Sequence, residues 1–337
     1  MLTERRAGIL GLVVDEYIST AQPVSSKALA DRRGLAVSPA TIRAELARLE
    51  DDGYITHPHT SAGRVPSELG YRVYVESLME EEAVGPAEQR TISHQFHQAA
   101  GLESWLSLAA SVLAGSVGNL AVVTRPRRRV THLRHAQFVH LADANVLVVA
   151  VVDDGRVRQR IVVLGMPTRQ EDLTRLAERL NAVLGDATAA DARAAAAREE
   201  EVDAARLLAA VAALIEEHDG SEDTFVYGIR DVLAQPEFAT ADRMLDAVRH
   251  LEAYELRQVL PDPEVVDRGA AQVVIGSENR AEWMQSWSVV VAGYGAPDGA
   301  AGTVAVVGPS RMQYARTLPR VRYLAAVLTE VLRSAGA

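Results

Sequence analysis

The chain contains no cysteine, which excludes disulfides and every thiolate-based metal or redox site. Aromatic residues make up only 5% of it, and no apolar run approaches the ~18 residues a membrane-spanning helix needs. A charged start followed by an apolar stretch and a cleavage site is also missing, so the expected location is cytoplasmic, with no membrane partner. Positive charge is in the minority: 35 Lys and Arg against 45 Asp and Glu give a net charge of −10. This balance argues against a general nucleic-acid coat but leaves room for one domain that binds DNA through locally placed charges. Apolar residues are plentiful, at 48% of 337 residues, enough for two or three domains with cores of their own.

Residues 1–80 read as a compact helical unit with a short two-stranded appendage. In "LTERRAGILGLVVDEYIS" Ile9, Leu10, Val13, Tyr17 and Ile18 recur at helical spacing behind Thr3 as N-cap. Pro23 breaks the pattern, Ser25 caps the short helix "SKALADRR", and Gly34 ends it. After "GLAV" comes "SPATIRAELARLEDDG", with Ser38 as N-cap, Pro39 at the first helical position and Gly53 as terminator. Ile42, Leu46 and Leu49 form its apolar stripe, and Ala40, Thr41, Arg43, Ala44, Ala47 and Arg48 lie mostly away from it. Two helices joined tightly, the second exposing small and basic residues near its N-terminus, describe a helix-turn-helix. "YITH" and "GRVP" follow as short strands and Ser67 caps "ELGYRVYVESLM", which makes the unit a winged variant.

Residues 80–90, "EEEAVGPAEQR", combine an acidic run with Gly-Pro and read as a linker, followed by two helical stretches up to about Gly118. Val-rich strands come next: "LAVVT", "HAQFVHL", "NVLVVAVVD" and "RVRQRIVVL", with "VDDGR" as a hairpin turn. The helix "RQEDLTRLAERLNAVL" and an Ala-rich helical stretch from about 187 to 258 separate these from "AQVVIG", "SWSVVVAGY" and "TVAVVG". A long amphipathic helix, "RMQYARTLPRVRYLAAVLTEVL", closes the chain, with a kink expected at Pro319. Strands, a helical block and strands again predict one α+β domain interrupted by an insertion.

The third helix carries the clearest chemistry. Its N-terminus offers free N–H groups and partial positive charge to a phosphate. Ala40 and Ala44 permit close approach to a groove, Arg43 has the forked donors that read guanine O6 and N7, and Thr41 suits a thymine methyl or a phosphate. An ordinary solvated amphipathic helix has the same spacing, so the pattern alone leaves both readings open. The loop "HPHTSAGRVPSELGYRVY" decides between them. Zinc fails on ligand count, because His57 and His59 have no third ligand nearby, and Ser61 has no acidic orienter for a neighbouring His. A DNA-touching wing fits better: Thr60, Ser61 and the Gly63 amide suit phosphates, and Arg64 suits a minor groove.

Read together, "PVSSKALA", "VSPATIRAEL" and "PHTSAGRVPSELGYRVYV" closely resemble the bacterial heat-inducible transcription repressor family HrcA. The resemblance continues through "LVVAVVDDGRVRQRIV", "QPEFATADRMLDAVRHLE", "VVIGSENRAEWMQSWSVVVAGY" and "GTVAVVGPSRMQYARTLPRVRYL", in the family's order and over nearly the whole chain. Ala44 departs from it: the family usually has Asn there, so one hydrogen bond to base or phosphate is lost and a shifted operator preference is expected. The resemblance implies a homodimeric repressor of chaperone operons that binds an inverted-repeat operator in double-stranded DNA. It further implies a GAF-like α+β domain carrying an inserted, mostly helical dimerisation segment, and dependence on a GroEL-type chaperonin that keeps the repressor active.

The expected fold is therefore α+β and multidomain. A winged helix-turn-helix spans residues 1–80 and a linker 81–103. A GAF-like domain takes 104–190 and 262–337, with the dimerisation segment at 191–261. Arg43 and Thr41 are expected to read bases, with Ala40 and Ala44 beside them. Ser38, Thr60, Ser61, Gly63 and Arg64 would hold backbone or minor groove, and Lys27, Tyr71 and Arg72 would support on phosphates. No catalytic constellation, metal site or cofactor is expected. The basic run "RPRRRVTHLRH" reads as a solvated edge, and "GYGAPDGAAG" lacks the strand–GxGxxG–helix context of a nucleotide site. The rival reading is a metabolite-responsive regulator that senses a small ligand in the GAF-like domain.

Overall fold

A computed structural model describes residues 2–30, 38–58, 63–127, 130–153, 155–216, 224–251, 253–261, 269–296 and 299–335. The chain divides into two compact units: Met1–Pro126 with Gly220–Ala337, and Arg127–Asp219.

In the first unit, α1 (Glu4–Thr20) starts at Thr3, whose hydroxyl accepts from the Arg6 amide, and buries Ile9, Leu10, Val13, Val14 and Ile18. The short α2 (Ser26–Ala30) buries Leu29. In α3 (Pro39–Asp51), Ser38 caps the N-terminus and Ile42, Leu46 and Leu49 are buried as their spacing predicts, joined by Glu45. The Gly34 terminator and the "GLAV" turn lie outside the described residues. Strands β1 (Ile55–Thr56) and β2 (Val65–Pro66) pair antiparallel. Val24 extends the ribbon by pairing with Arg64 through two backbone hydrogen bonds of 2.8 Å. Gly63 permits that approach: a Cβ there would lie 2.6 Å from the Pro23 and Val24 backbone. Helix α4 (Glu68–Val73) follows Ser67, its N-cap, and widens into a π turn over Tyr74–Leu78.

Residues 81–103 do not form a free linker. Val84 is buried, the Glu82 amide donates to Ala315 O at 2.8 Å, and α5 (Pro86–Gln98) buries Ile92 and Phe96. The buried Arg320 guanidinium bridges to Glu88 at 2.8 Å and Glu82 at 3.2 Å, so one carboxylate of the acidic run is engaged by a cation more than 200 residues away in the sequence. Helix α6 (Leu102–Val117) then leads into β3 (Leu120–Thr124).

The second unit begins with β4 (Leu133–Ala142), β5 (Asn145–Val152) and β6 (Val157–Val163), an antiparallel sheet of its own in the order β4-β5-β6. The turn between β5 and β6 is present, with Gly155 at φ +82°, while Asp154 lies outside the described residues. One face, with Phe138, Val146, Val148, Ala150 and Val152, packs on α7 (Gln170–Leu184), α8 (Ala189–Arg198) and α9 (Val202–Glu216). Leu207, Leu208, Val211, Leu214 and Ile215 of α9 are thereby buried within the unit, which settles that stripe as intrachain core.

The chain returns to the first unit through β7 (Thr224–Tyr227), α10 (Ile229–Leu233), α11 (Ala241–His250) and α12 (Ala253–Val259). Strands β8 (Ala271–Ile275), β9 (Trp287–Gly295) and β10 (Ala301–Pro309) complete an antiparallel sheet in the order β7-β3-β10-β9-β8. Helix α13 (Tyr314–Ser334) begins three residues later than the sequence pattern and continues across Pro319. Strands β9 and β10 are buried along their whole length because both faces are covered. Val290, Ala292, Val304 and Val306 join α6 and α13, and Val289, Val291, Ala305 and Val307 join Phe238, Leu256 and Trp287.

The unit boundaries therefore differ from the expected ones. The three strands assigned to the interrupted domain belong with the helices that follow them, and β7 with α10–α12 belongs to the five-stranded domain instead of the insertion.

Candidate nucleic-acid interface

Helix α3 is tied down from behind and free in front. Glu45 is buried at its back, where it accepts from Arg6 Nε at 3.1 Å; Arg6 also reaches Asp52 at 3.2 Å. A buried carboxylate persists only when paired, so this contact locks the rotation of α3 against α1. The opposite face leaves Ala40, Arg43, Ala44, Ala47 and Arg48 exposed. Arg43 Nε donates to Ser26 Oγ at 3.4 Å, a long contact that leaves the guanidinium available. Ser38 spends its hydroxyl as the cap, accepting from the Thr41 amide at 3.2 Å and sharing a 2.9 Å bond with the Thr41 hydroxyl. Lys27 is exposed on α2.

Of the residues expected to form a wing, Thr60 and Ser61 lie outside the described residues, as does His59. Gly63 is explained by the close approach of the Pro23–Val24 backbone. Arg64 is engaged within the protein, its Nη2 donating to Glu50 Oε2 at 3.1 Å. The same carboxylate hydrogen-bonds His57 Nδ1. Burial pushes the Glu50 carboxyl up, but the His57 hydrogen bond and the Arg64 charge outweigh it and hold it below the usual carboxylate range. Glu50 and His57 thus form one cluster with Arg64. Sequence reasoning leaves His57 as a solvated loop residue and gives Glu50 no role, because a helix-end carboxylate carries no signature of the loop that folds onto it.

Two expected phosphate contacts stand elsewhere. Tyr71 is buried, its ring 6.1 Å from that of Tyr314, and burial pushes its hydroxyl well above its ordinary value. Arg72 points at the C-terminal part of the unit: Nη2 donates to Val273 O at 2.9 Å and Nε to Glu278 Oε1 at 2.9 Å. Their face of α4 is covered by segments more than 200 residues away in the sequence, which removes both from the surface that α3 presents. Among the described residues, no three His, Asp or Glu side chains cluster to hold a metal ion, and no helix is long and apolar enough to cross a membrane.

Residues 103–318, more than half of the chain, match the family described as HrcA protein C terminal domain. The chain belongs to the HrcA family. Relatives named heat-inducible transcription repressor HrcA extend the similarity through the N-terminal helices. That of Roseiflexus castenholzii is 40% identical, covering 98% of this chain and 94% of its own. That of Thermomicrobium roseum is also 40% identical, with 98% and 95% covered. A crystal structure described as that of a hypothetical protein at 2.2 Å resolution shares the fold, with a TM-score of 0.57 and 21% identity over 99% of this chain and 98% of that one. The HrcA relatives cover 98% of the chain, so α3 and its ribbon fall inside the resemblance together with the five-stranded domain.

Proposed function

We propose that this protein is a heat-inducible transcription repressor that binds an inverted-repeat operator as a dimer. On this reading α1–α3 and the β1–β2 ribbon act as a winged helix-turn-helix, with α3 entering the major groove. The observation that carries the reading is the two-sidedness of α3: a back face pinned through Ile42, Glu45, Leu46 and Leu49, and a front face of small and basic residues open to solvent. Arg43 and Thr41 read bases, while Ala40 and Ala44 let the helix approach. Ser38 presents the helix N-terminus to a phosphate, Lys27 adds a phosphate contact from α2, and Arg64 supplies the wing cation once Glu50 releases it. The five-stranded domain is the GAF-like domain.

An inverted repeat calls for a two-fold pair of α3 helices. The inserted unit offers the surface for it. The outer face of β4–β6 carries Leu147, Val149 and Val151 beside the exposed Val157, Ile161 and Val163, an apolar face that suits a second copy. Dependence on a GroEL-type chaperonin follows from the family resemblance, and such a chaperonin would act on a repressor whose apolar surfaces are exposed when it is unassembled. A footprint on the chaperonin-gene promoters of the source organism, with and without added chaperonin, tests the reading. Protection of an inverted repeat is expected, and no protection under either condition refutes it.

A second reading, a regulator that responds to a small metabolite, has one observation in its favour. A cavity of about 700 Å³ in the five-stranded domain is lined by His250, Glu255, Val259, Glu278, Arg280 and Trp283. The His250 ring stacks on Trp283 at 4.8 Å. A stoichiometric small molecule retained in native mass spectrometry would favour this reading over the first.

A further inference from the structure

Three hydrogen-bonded links run without a break from α3 to the five-stranded domain. At the end of α3, Ser67 Oγ donates to Gly53 O at 2.6 Å and the Ser67 amide to Tyr54 O at 3.0 Å, which fastens the start of α4 to the end of α3. Gly70 tightens this joint, because a Cβ there would fall on the Tyr54 carbonyl oxygen. On its other side α4 meets the stretch Val273–Glu278. The Glu68 carboxylate accepts from the Ser277 amide at 3.0 Å and from the Ser277 hydroxyl. Gly276, at φ +52°, makes room for it: a Cβ there would collide with the Glu68 side chain.

One turn further along α4, Arg72 takes Val273 O and both Glu278 oxygens. Glu278 is held in place by the Ile275 amide, which donates to its Oε2 at 2.8 Å. Two charges of opposite sign on α4 therefore meet two complementary groups on one short segment. Each acceptor and donor is oriented by backbone, so the fit defines one orientation of α4, and through Ser67 one orientation of α3.

We propose that Glu68 and Arg72 are positioning residues for DNA recognition: by docking α4 on Val273–Glu278 they narrow the range of half-site spacings that the dimer accepts. The proposal rests on the reading that two copies bind an inverted repeat. In such a complex each base pair inserted between half-sites displaces one recognition helix by about 3.4 Å and turns it by about 35°. A dimer whose α3 helices are docked on the five-stranded domains follows that change less readily than one whose N-terminal modules swing free.

The test uses the full-length protein and operator duplexes whose half-sites are moved apart by two and by five base pairs, with a single half-site duplex as reference. Wild-type protein is expected to lose ~10-fold or more in affinity at the altered spacings, and the Glu68→Ala/Arg72→Ala protein less than ~3-fold, at equal affinity for the single half-site. The charge-reversed Arg72→Glu/Glu278→Arg protein is expected to recover spacing discrimination. Glu278→Gln, which keeps the shape of the contact, gives a milder variant should the double alanine fail to fold by circular dichroism.

A spacing profile unchanged in the variants overturns the proposal alone. So does a loss of single half-site affinity as large as the loss on the operator, which would make Arg72 a DNA contact. Wild-type protein that shows no spacing preference, or binds as a monomer, overturns the dimer reading and the proposal with it.

Discussion

Glu50 holds the cation that the proposed wing would offer to DNA. The carboxylate holds Arg64 at 3.1 Å and hydrogen-bonds His57, so it occupies the groups a phosphate would take. Removing its charge with Glu50→Gln releases Arg64 without shortening the side chain. Side-chain exposures of 34% for Arg64 and 22% for Glu50 place the pair in the partly solvated class, where such contacts contribute about 0.5–1 kcal/mol. If Arg64 leaves Glu50 on binding, the substitution returns that energy to the complex, and operator affinity should rise about two- to fivefold. Arg64 then reaches phosphate in both complexes, so the slope of log K against log salt should stay the same in Glu50→Gln, and Arg64→Ala should flatten it by about 0.9. Titration by fluorescence anisotropy across a salt series measures both quantities, and Glu50→Gln/Arg64→Ala should lose the gain in affinity. Weaker binding by Glu50→Gln would refute the reasoning, since Glu50 would then be orienting Arg64 toward DNA. Stability carries a pH signature of its own. The Glu50 carboxyl titrates lower in the folded protein than in the unfolded chain, so its contribution is full above the unfolded value and lost as pH falls through the folded one. Wild-type and Glu50→Gln proteins should therefore differ most in melting temperature near neutrality and converge in acid.

Arg43→Ala should weaken operator binding by ~1–3 kcal/mol and relax base preference at one position, and equal losses on operator and random DNA would remove its base-reading role. Leu46→Ala empties a fully buried site behind α3 and should cost ~2–5 kcal/mol in urea unfolding. Gly63→Ala sets a methyl 2.6 Å from the Pro23 and Val24 backbone, and a destabilisation of about 1–3 kcal/mol is expected, read as a lowered denaturation midpoint. Ile161→Asp puts a charge on the outer sheet face of the inserted unit and should shift the protein toward monomer in analytical ultracentrifugation, while the same change at the exposed Val183 of α7 should not.

Local signals in the sequence survive into the structure wherever a residue's neighbours are close along the chain. Thr3, Ser38 and Ser67 cap their helices because a hydroxyl needs only an amide three residues on. Ile42, Leu46 and Leu49 are buried because helical spacing fixes which side chains share a face. Partner choice between distant strands has no such signature. The stretch of β5 that carries Val146, Val148, Ala150 and Val152 has the same Val-rich texture as β3 and β10. Yet β5 pairs with β4 and β6, while β3 pairs with β10, some 180 residues away. The boundary of the insertion therefore falls between two stretches that look alike. The four-residue β7, "TFVY", is too short to stand out from its helical surroundings and becomes a strand because β3 offers it an edge.

The same distinction divides the candidate interface. Ala40, Arg43 and Ala44 are legible because the pattern that buries one side of α3 leaves them on the other, and no described residue of the unit covers that side. Tyr71 and Arg72 have equally suggestive chemistry, but α4 has two faces to satisfy. One abuts Tyr54, and the other meets Val273, Glu278 and Tyr314. A basic side chain beside an aromatic one on a short helix after a ribbon reads as a phosphate grip when the helix is taken as part of an isolated module. Here the module is not isolated. Arg311 shows the reason from the opposite end: its guanidinium holds Glu237 at 2.6 Å and donates to Ile18 O, the last turn of α1, at 3.0 Å. Arg72 reaches from the N-terminal helices into the sheet domain and Arg311 reaches back, so the cations that look free in the sequence are the ones that join the two. Arg43, with a 3.4 Å contact to Ser26, has no comparable tie among the described residues, and its charge is left facing outward from α3.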